Sequence, residues 1–99
     1  MAHCPPAQLA DLEDVLAEVR TWEHVLEKSP GVFYVKRLPF LHFHVNKDGD
    51  RWADCRKGKS WGPPLPINPP STAAARKSFL KSLEEYHAAT LDAVVPRRR

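Results

Sequence analysis

The chain has 99 residues, 42% hydrophobic and 27% charged, which is enough for one core and too little for two. That apolar content excludes disorder throughout, and no apolar run approaches the ~20 residues of a membrane-spanning helix. The net charge of +3 disappears without the C-terminal Arg97, Arg98 and Arg99, so a basic body fitted to nucleic acid is not expected.

The opening residues, MAHCPPAQLA, lack the basic and apolar regions of an export signal. Two cysteines, Cys4 and Cys55, are too few for a disulfide framework and are read as thiols of a reducing, cytoplasmic compartment. Residues 1–6 are expected as a flexible N-terminus, 7–95 as a single domain and 96–99 as a basic tail.

A helix is expected from about Ala7 to Lys28. Leu9, Leu12, Val15, Leu16, Val19, Trp22 and Leu26 recur at steps of three and four, forming one apolar stripe. Asp11, Glu13 and Asp14 crowd its first turns, where negative charge suits the helix dipole. Ser29-Pro30-Gly31 reads as its stop, with a weak point near Thr21. Three strands follow, at Gly31–Arg37, Phe40–Asn46 and Arg51–Lys57, the last two joined by the turn Lys47-Asp48-Gly49-Asp50. Gly58–Pro70 holds five prolines and two glycines and reads as a partly extended crossover packed by Trp61, Leu65 and Ile67. A second helix is expected from Thr72 to Val94, with Ser71 or Thr72 as N-cap. Its apolar face is Phe79, Leu80, Leu83, Tyr86, His87 and Leu91. The fold class is therefore α+β in the order α-β-β-β-α, a three-stranded antiparallel sheet with both helices packed on one face.

The hairpin carries the chemistry. Leu41, Phe43 and Val45 alternate with His42 and His44, so the histidines face away from the helices. A two-residue turn at Asp48-Gly49 would pair Phe43 with Asp54 and Leu41 with Arg56, burying two charges. A three-residue loop, Lys47-Asp48-Gly49, with glycine in the left-handed position, pairs Phe43 with Ala53, Leu41 with Cys55, His42 with Asp54 and His44 with Trp52. Burial selects register, so the second arrangement is expected. It gathers His42, His44, Asp54 and Trp52 on one face, and Tyr34 joins them if the first strand pairs without a slip. Two imidazoles and a carboxylate are the ingredients of a zinc or other divalent metal site. They also suit a general base oriented by an acid.

The plainest alternative is that both histidines are ordinary half-exposed strand residues and Trp52 shields the face. His3, His24 and His87 fall on other elements, so no third histidine stands at ligand spacing. Cys55 reads as core and His87 as a core-edge residue. Gly-rich phosphate loops, nucleophile elbows and C-x-x-C pairs are absent from the sequence.

The stretch GVFYVKRLPFLHFHVNKDGDRWADCRKGKSW, from Gly31 to Trp61, resembles a pattern in small uncharacterised bacterial proteins. These have a Trp-containing helix, a GxxFY strand, an FLHFH strand, then a turn and AD. The matching residues are Trp22, Phe33, Tyr34, Phe40–His44, Ala53 and Asp54, about a third of the chain, and the resemblance implies no activity. The order of elements also resembles that of a double-stranded-RNA-binding domain, whose basic junction is replaced here by Gly58–Pro70. The chain is read as a small binding or interaction module using the open sheet face around His42 and His44. Its partner is a small ligand or a protein, and it is a monomer or a homodimer through that face. No membrane partner is expected, and a cofactor other than a divalent ion is not implied. The alternatives are a metal-dependent or acid–base enzyme built on His42, His44 and Asp54, and weak RNA binding through the second helix and the tail.

Overall fold

Long apolar–polar alternation places the two longest strands. β4 (Leu38–Val45) and β5 (Arg51–Lys57) form the central antiparallel pair of the computed structural model, which describes residues 2–95. The tail expected at 96–99 lies outside the described residues. The other elements are β1 (Ala2–His3), a 3-10 helix (Pro6–Leu12), α1 (Glu13–Val19), β2 (Val25–Ser29), β3 (Val32–Val35), β6 (Ser60–Trp61), β7 (Leu65–Pro66) and α2 (Ala73–Val94). Strand order is β2-β3-β4-β5-β6, with β1 added to the end of β4 and β7 to the start of β5. The class is α+β as expected, but the antiparallel sheet has more strands than three.

The first helix is shorter than its periodicity suggests. Leu9, Leu12, Val15, Leu16 and Val19 are all buried, which fits the stripe. After Arg20, however, Thr21 Oγ1 donates back to the Glu18 carbonyl at 2.7 Å, and His24 adopts φ 65°, so the chain turns out of the helix. Val25 and Leu26 then belong to β2, not to a helix. Pro30-Gly31 is the loop of a β2–β3 hairpin: proline presets the first turn position, and Gly31 supplies the second at φ 76°. A Cβ on Gly31 would lie 2.5 Å from Leu9 Cδ1, because the 3-10 helix rests on this turn.

The β4–β5 register is the one that burial favours: Leu41↔Cys55, His42↔Asp54, Phe43↔Ala53 and His44↔Trp52. Asn46 closes the loop. Its side-chain oxygen accepts from the Asp48 and Asp50 amides, both at 3.0 Å, and Gly49 sits at φ 88°. A bulge interrupts the pairing of β3 with β4, since Phe33 faces Leu41 while Tyr34 faces Pro39. Phe40 is the extra residue, so Phe40 and Leu41 are both buried although they are neighbours in sequence. Each buried phenylalanine contributes about 1.5–3 kcal/mol.

Both helical segments cover this same face. Phe43 meets Phe79 of α2 with ring centroids 6.0 Å apart. Thr72 caps α2 by accepting from the Ala75 amide at 3.0 Å, and the helix buries Phe79, Leu83, Tyr86 and Thr90. Thr90 Oγ1 donates to the Arg56 carbonyl and accepts from the Gly58 amide, tying the end of α2 to the end of β5. His87 is half-buried, with Trp22 at 5.1 Å and Phe40 edge-on at 5.7 Å.

Among the described residues one charged side chain is fully buried. The Arg51 side chain has 0% exposure and forks onto Asp11 with two contacts of 2.8 Å. It also donates to the carbonyls of Gln8 and Ile67, each at 2.7 Å. Asp11 accepts in addition from the Ser71 amide (2.9 Å) and hydroxyl (2.6 Å). The Arg51 guanidinium thereby holds the Asp11 carboxyl well below the usual carboxylate range, against the opposing effect of burial. This network locks the 3-10 helix to β5 and the start of α2.

The segment expected as a flexible N-terminus adds a short strand to the sheet. Ala2 pairs with Val45 and His3 with His44, the Cys4 amide donates to the Phe43 carbonyl at 3.0 Å, and Cys4 is buried. The cause is a place for the apolar Cys4 in the core. Burial pushes the Cys55 thiol far above the ordinary range and raises that of Cys4. Among the described residues no helix is long and apolar enough to cross a membrane.

Candidate functional site

The sheet face opposite the helices is built by alternate residues of β4 and β5. His42 and His44 come from β4; Trp52, Asp54 and Arg56 come from β5. Every intervening residue, from Leu41 and Phe43 to Ala53 and Cys55, is locked in the core. The backbone positions of the polar set are therefore fixed by packing on the other side of the sheet.

Asp54 stands directly across from His42, yet its closer partner is the diagonal one. Its Oδ2 lies 2.9 Å from His44 Nε2 and 3.4 Å from His42 Nε2. The two imidazoles approach with centroids 4.7 Å apart and planes at 80°. One ligand atom from each of His42, His44 and Asp54 falls within 4.8 Å of the others. Side-chain exposures of 21%, 10% and 30% make this a recessed cluster open on one side.

Aromatic rings wall the cluster. Trp52 stacks beside His44 at 5.5 Å with planes at 29°, as the register requires. Trp61 lies against His42 at 5.0 Å and 42°. The expectation that Trp61 packs the crossover inward is corrected: it is 43% exposed on the open face. The reason is a tight reversal at Gly58-Lys59, with Gly58 at φ 85°, which folds β6 back beside β5 and pairs Trp61 with Arg56. Glycine as the first of two loop residues is a hairpin signal, and K-G-K-S carries it. Leu65 and Ile67 do turn toward the core.

Arg56 is the site residue that sequence reasoning missed. Its guanidinium carbon sits 5.0 Å from the Trp61 ring centroid. Nε donates to the Pro39 carbonyl at 2.7 Å and one terminal nitrogen donates to the Lys59 carbonyl at 3.1 Å. Tyr34, expected to join the cluster, does not. The bulge shifts it to Pro39, and Lys28 Nζ lies over its ring at 4.8 Å. His3 occupies the register position beside His44 on β1. The sequence gives that backbone placement no periodic signal, because β1 has two residues.

Chemically, two imidazoles and a carboxylate that converge from two rigid strands can share a proton or hold a cation. A tetrahedral zinc ion with bonds of ~2.0–2.1 Å separates neighbouring ligand atoms by about 3.3 Å. The two contacts at Asp54 Oδ2, 2.9 and 3.4 Å, bracket that spacing. No protein-family model, curated protein or solved structure matches the chain.

Proposed function

We propose that the chain is a small binding module working through the sheet face around His42 and His44. The ligand held by His42, His44 and Asp54 is a divalent metal ion of the zinc class. The observation that carries this reading is the convergence of three ligand atoms, from two strands, within 4.8 Å. Imidazole nitrogen with carboxylate oxygen is a donor set that suits zinc and its neighbours better than calcium or magnesium. Asp54 supplies the negative charge that offsets the ion, and the two histidines bind as neutral rings. With three protein ligands the ion keeps a position for a further ligand.

The test is metal uptake by the full chain. Cobalt(II) absorption, with zinc in competition, should report one ion per chain. Binding should strengthen as pH rises, because the ion competes with protons for the imidazole nitrogens. Asp54→Asn and His44→Ala, checked for folding by circular dichroism, should each weaken uptake at least about tenfold, or 1.4 kcal/mol. A wild-type protein that takes up cobalt no better than these variants would overturn the reading.

A further inference from the structure

Arg56 lies on the open sheet face beside the cluster, on the same side of β5 as Asp54. Its guanidinium is pinned in three ways, by the Pro39 carbonyl, the Lys59 carbonyl and the Trp61 ring. Among the described residues it makes no ion pair with a carboxylate, although Asp54 is two positions away on the same strand face. Asp54 is turned to the histidines instead. Two of the guanidinium nitrogens are taken by carbonyls, and they hold the second terminal nitrogen in a fixed direction from which it can donate to an incoming oxyanion.

Trp61 links this group to the cluster. Its ring centroid is 5.0 Å from the Arg56 guanidinium carbon and 5.0 Å from the His42 ring, so the two lie within about 10 Å of each other. A phosphoryl group with one oxygen on a metal ion and another on a guanidinium spans roughly 7 Å. Charge points the same way. A zinc-class ion with one carboxylate and two neutral imidazoles carries a single net positive charge, and Arg56 adds a second.

We propose, resting on the metal reading above, that the site takes a dianionic phosphoryl group. One of its oxygens fills the open position on the ion, another is held by Arg56, and Trp61 forms the wall between them. The rest of such a ligand lies over the exposed edge of the Trp61 ring. No covalent step is involved; this is recognition.

The experiment loads the full chain with less than one equivalent of cobalt(II), so that free metal is negligible, and titrates methylphosphonate. The expected result is a change in the cobalt absorption bands together with a change in tryptophan fluorescence that Trp61→Phe removes. Metal-free protein should bind the probe at least tenfold more weakly. Arg56→Gln and Arg56→Lys should both still take up cobalt, the glutamine variant no more weakly than wild type because a positive charge is removed, which also shows that they fold. Both should lose methylphosphonate affinity by about tenfold or more, the worth of a charge-assisted hydrogen bond. Cobalt uptake with no response to methylphosphonate overturns the phosphoryl proposal and leaves the metal reading standing. Equal binding of acetate would replace a phosphoryl ligand by a carboxylate and overturn the proposal as stated. Failure to take up cobalt removes both.

Discussion

Replacing Asp11 by asparagine keeps the shape of the side chain and removes its charge. The carboxylate accepts four hydrogen bonds, two from Arg51 and two from Ser71. An amide has one oxygen to offer and an NH2 group that faces donors, so part of the set is lost in any orientation. The Arg51 guanidinium, with 0% exposure, is left among carbonyls without its counter-charge. Breaking a buried pair from one side costs about 3–5 kcal/mol. Total stability for a domain of this size is about 5–15 kcal/mol, and each kcal/mol moves Tm by about 4–8 °C. Asp11→Asn should therefore lower Tm by on the order of 15–30 °C, with the urea m-value unchanged. Asp11→Asn with Arg51→Met should recover part of the loss, because the stranded charge is gone. Acid should erase the difference. The Asp11 pKa is depressed on folding, so its contribution is complete above the ordinary ~3.9 and lost as pH falls through the lower folded value. A loss below about 1 kcal/mol near neutral pH, or a difference that persists unchanged well into acid, would refute this account of the network.

Gly31→Ala should cost about 2–3 kcal/mol in urea denaturation, since it combines φ 76° with a Cβ 2.5 Å from Leu9 Cδ1; a loss under 0.5 kcal/mol would mean the 3-10 helix does not rest on that turn. Thr90→Val should cost about 1–3 kcal/mol by leaving the Gly58 amide and the Arg56 carbonyl without the hydroxyl; a neutral substitution, read by thermal melting, counts against the strap. Cys55 and Cys4 should resist iodoacetamide in the native protein and react after unfolding, as burial raises both thiols. Mass spectrometry showing rapid native alkylation of Cys55 contradicts its core position.

The hairpin and the second helix were legible because their signals are local and agree with each other. Leu41 and Phe43 are buried and Val45 partly so, Ala53 and Cys55 are the partners that allow it for the first two, and the Lys47-Asp48-Gly49 loop delivers that register. Thr72 and the stripe from Phe79 to Tyr86 set α2 in the same way. The first third misled because Trp22 and Leu26 extend a helical spacing that Val25–Ser29 abandons for a strand partner. A five-residue strand gains its stability from β3, and a pattern read along the chain cannot see a neighbour. Pro30-Gly31 fits both a helix stop and a hairpin loop. Asp11 looked like a helix-dipole charge, because Arg51 lies 40 positions away in sequence. The histidine and aspartate positions followed from the register, whereas Arg56 and Trp61 depended on a reversal at Gly58 inside a segment dominated by prolines.

The short strands have a consequence for the company the molecule keeps. A sheet whose outer strands expose long rows of amide and carbonyl groups invites other chains to add on. Here β1, β6 and β7 have two residues each, and β7 ends in Pro66, which has no N–H. β2, the remaining outer strand, carries Glu27 and Lys28, and Arg20 reaches Glu27 at 2.6 Å. Recruitment by strand addition is thus disfavoured around the rim. Whatever binds, a second copy included, should arrive onto the broad side of the sheet, where the histidines are.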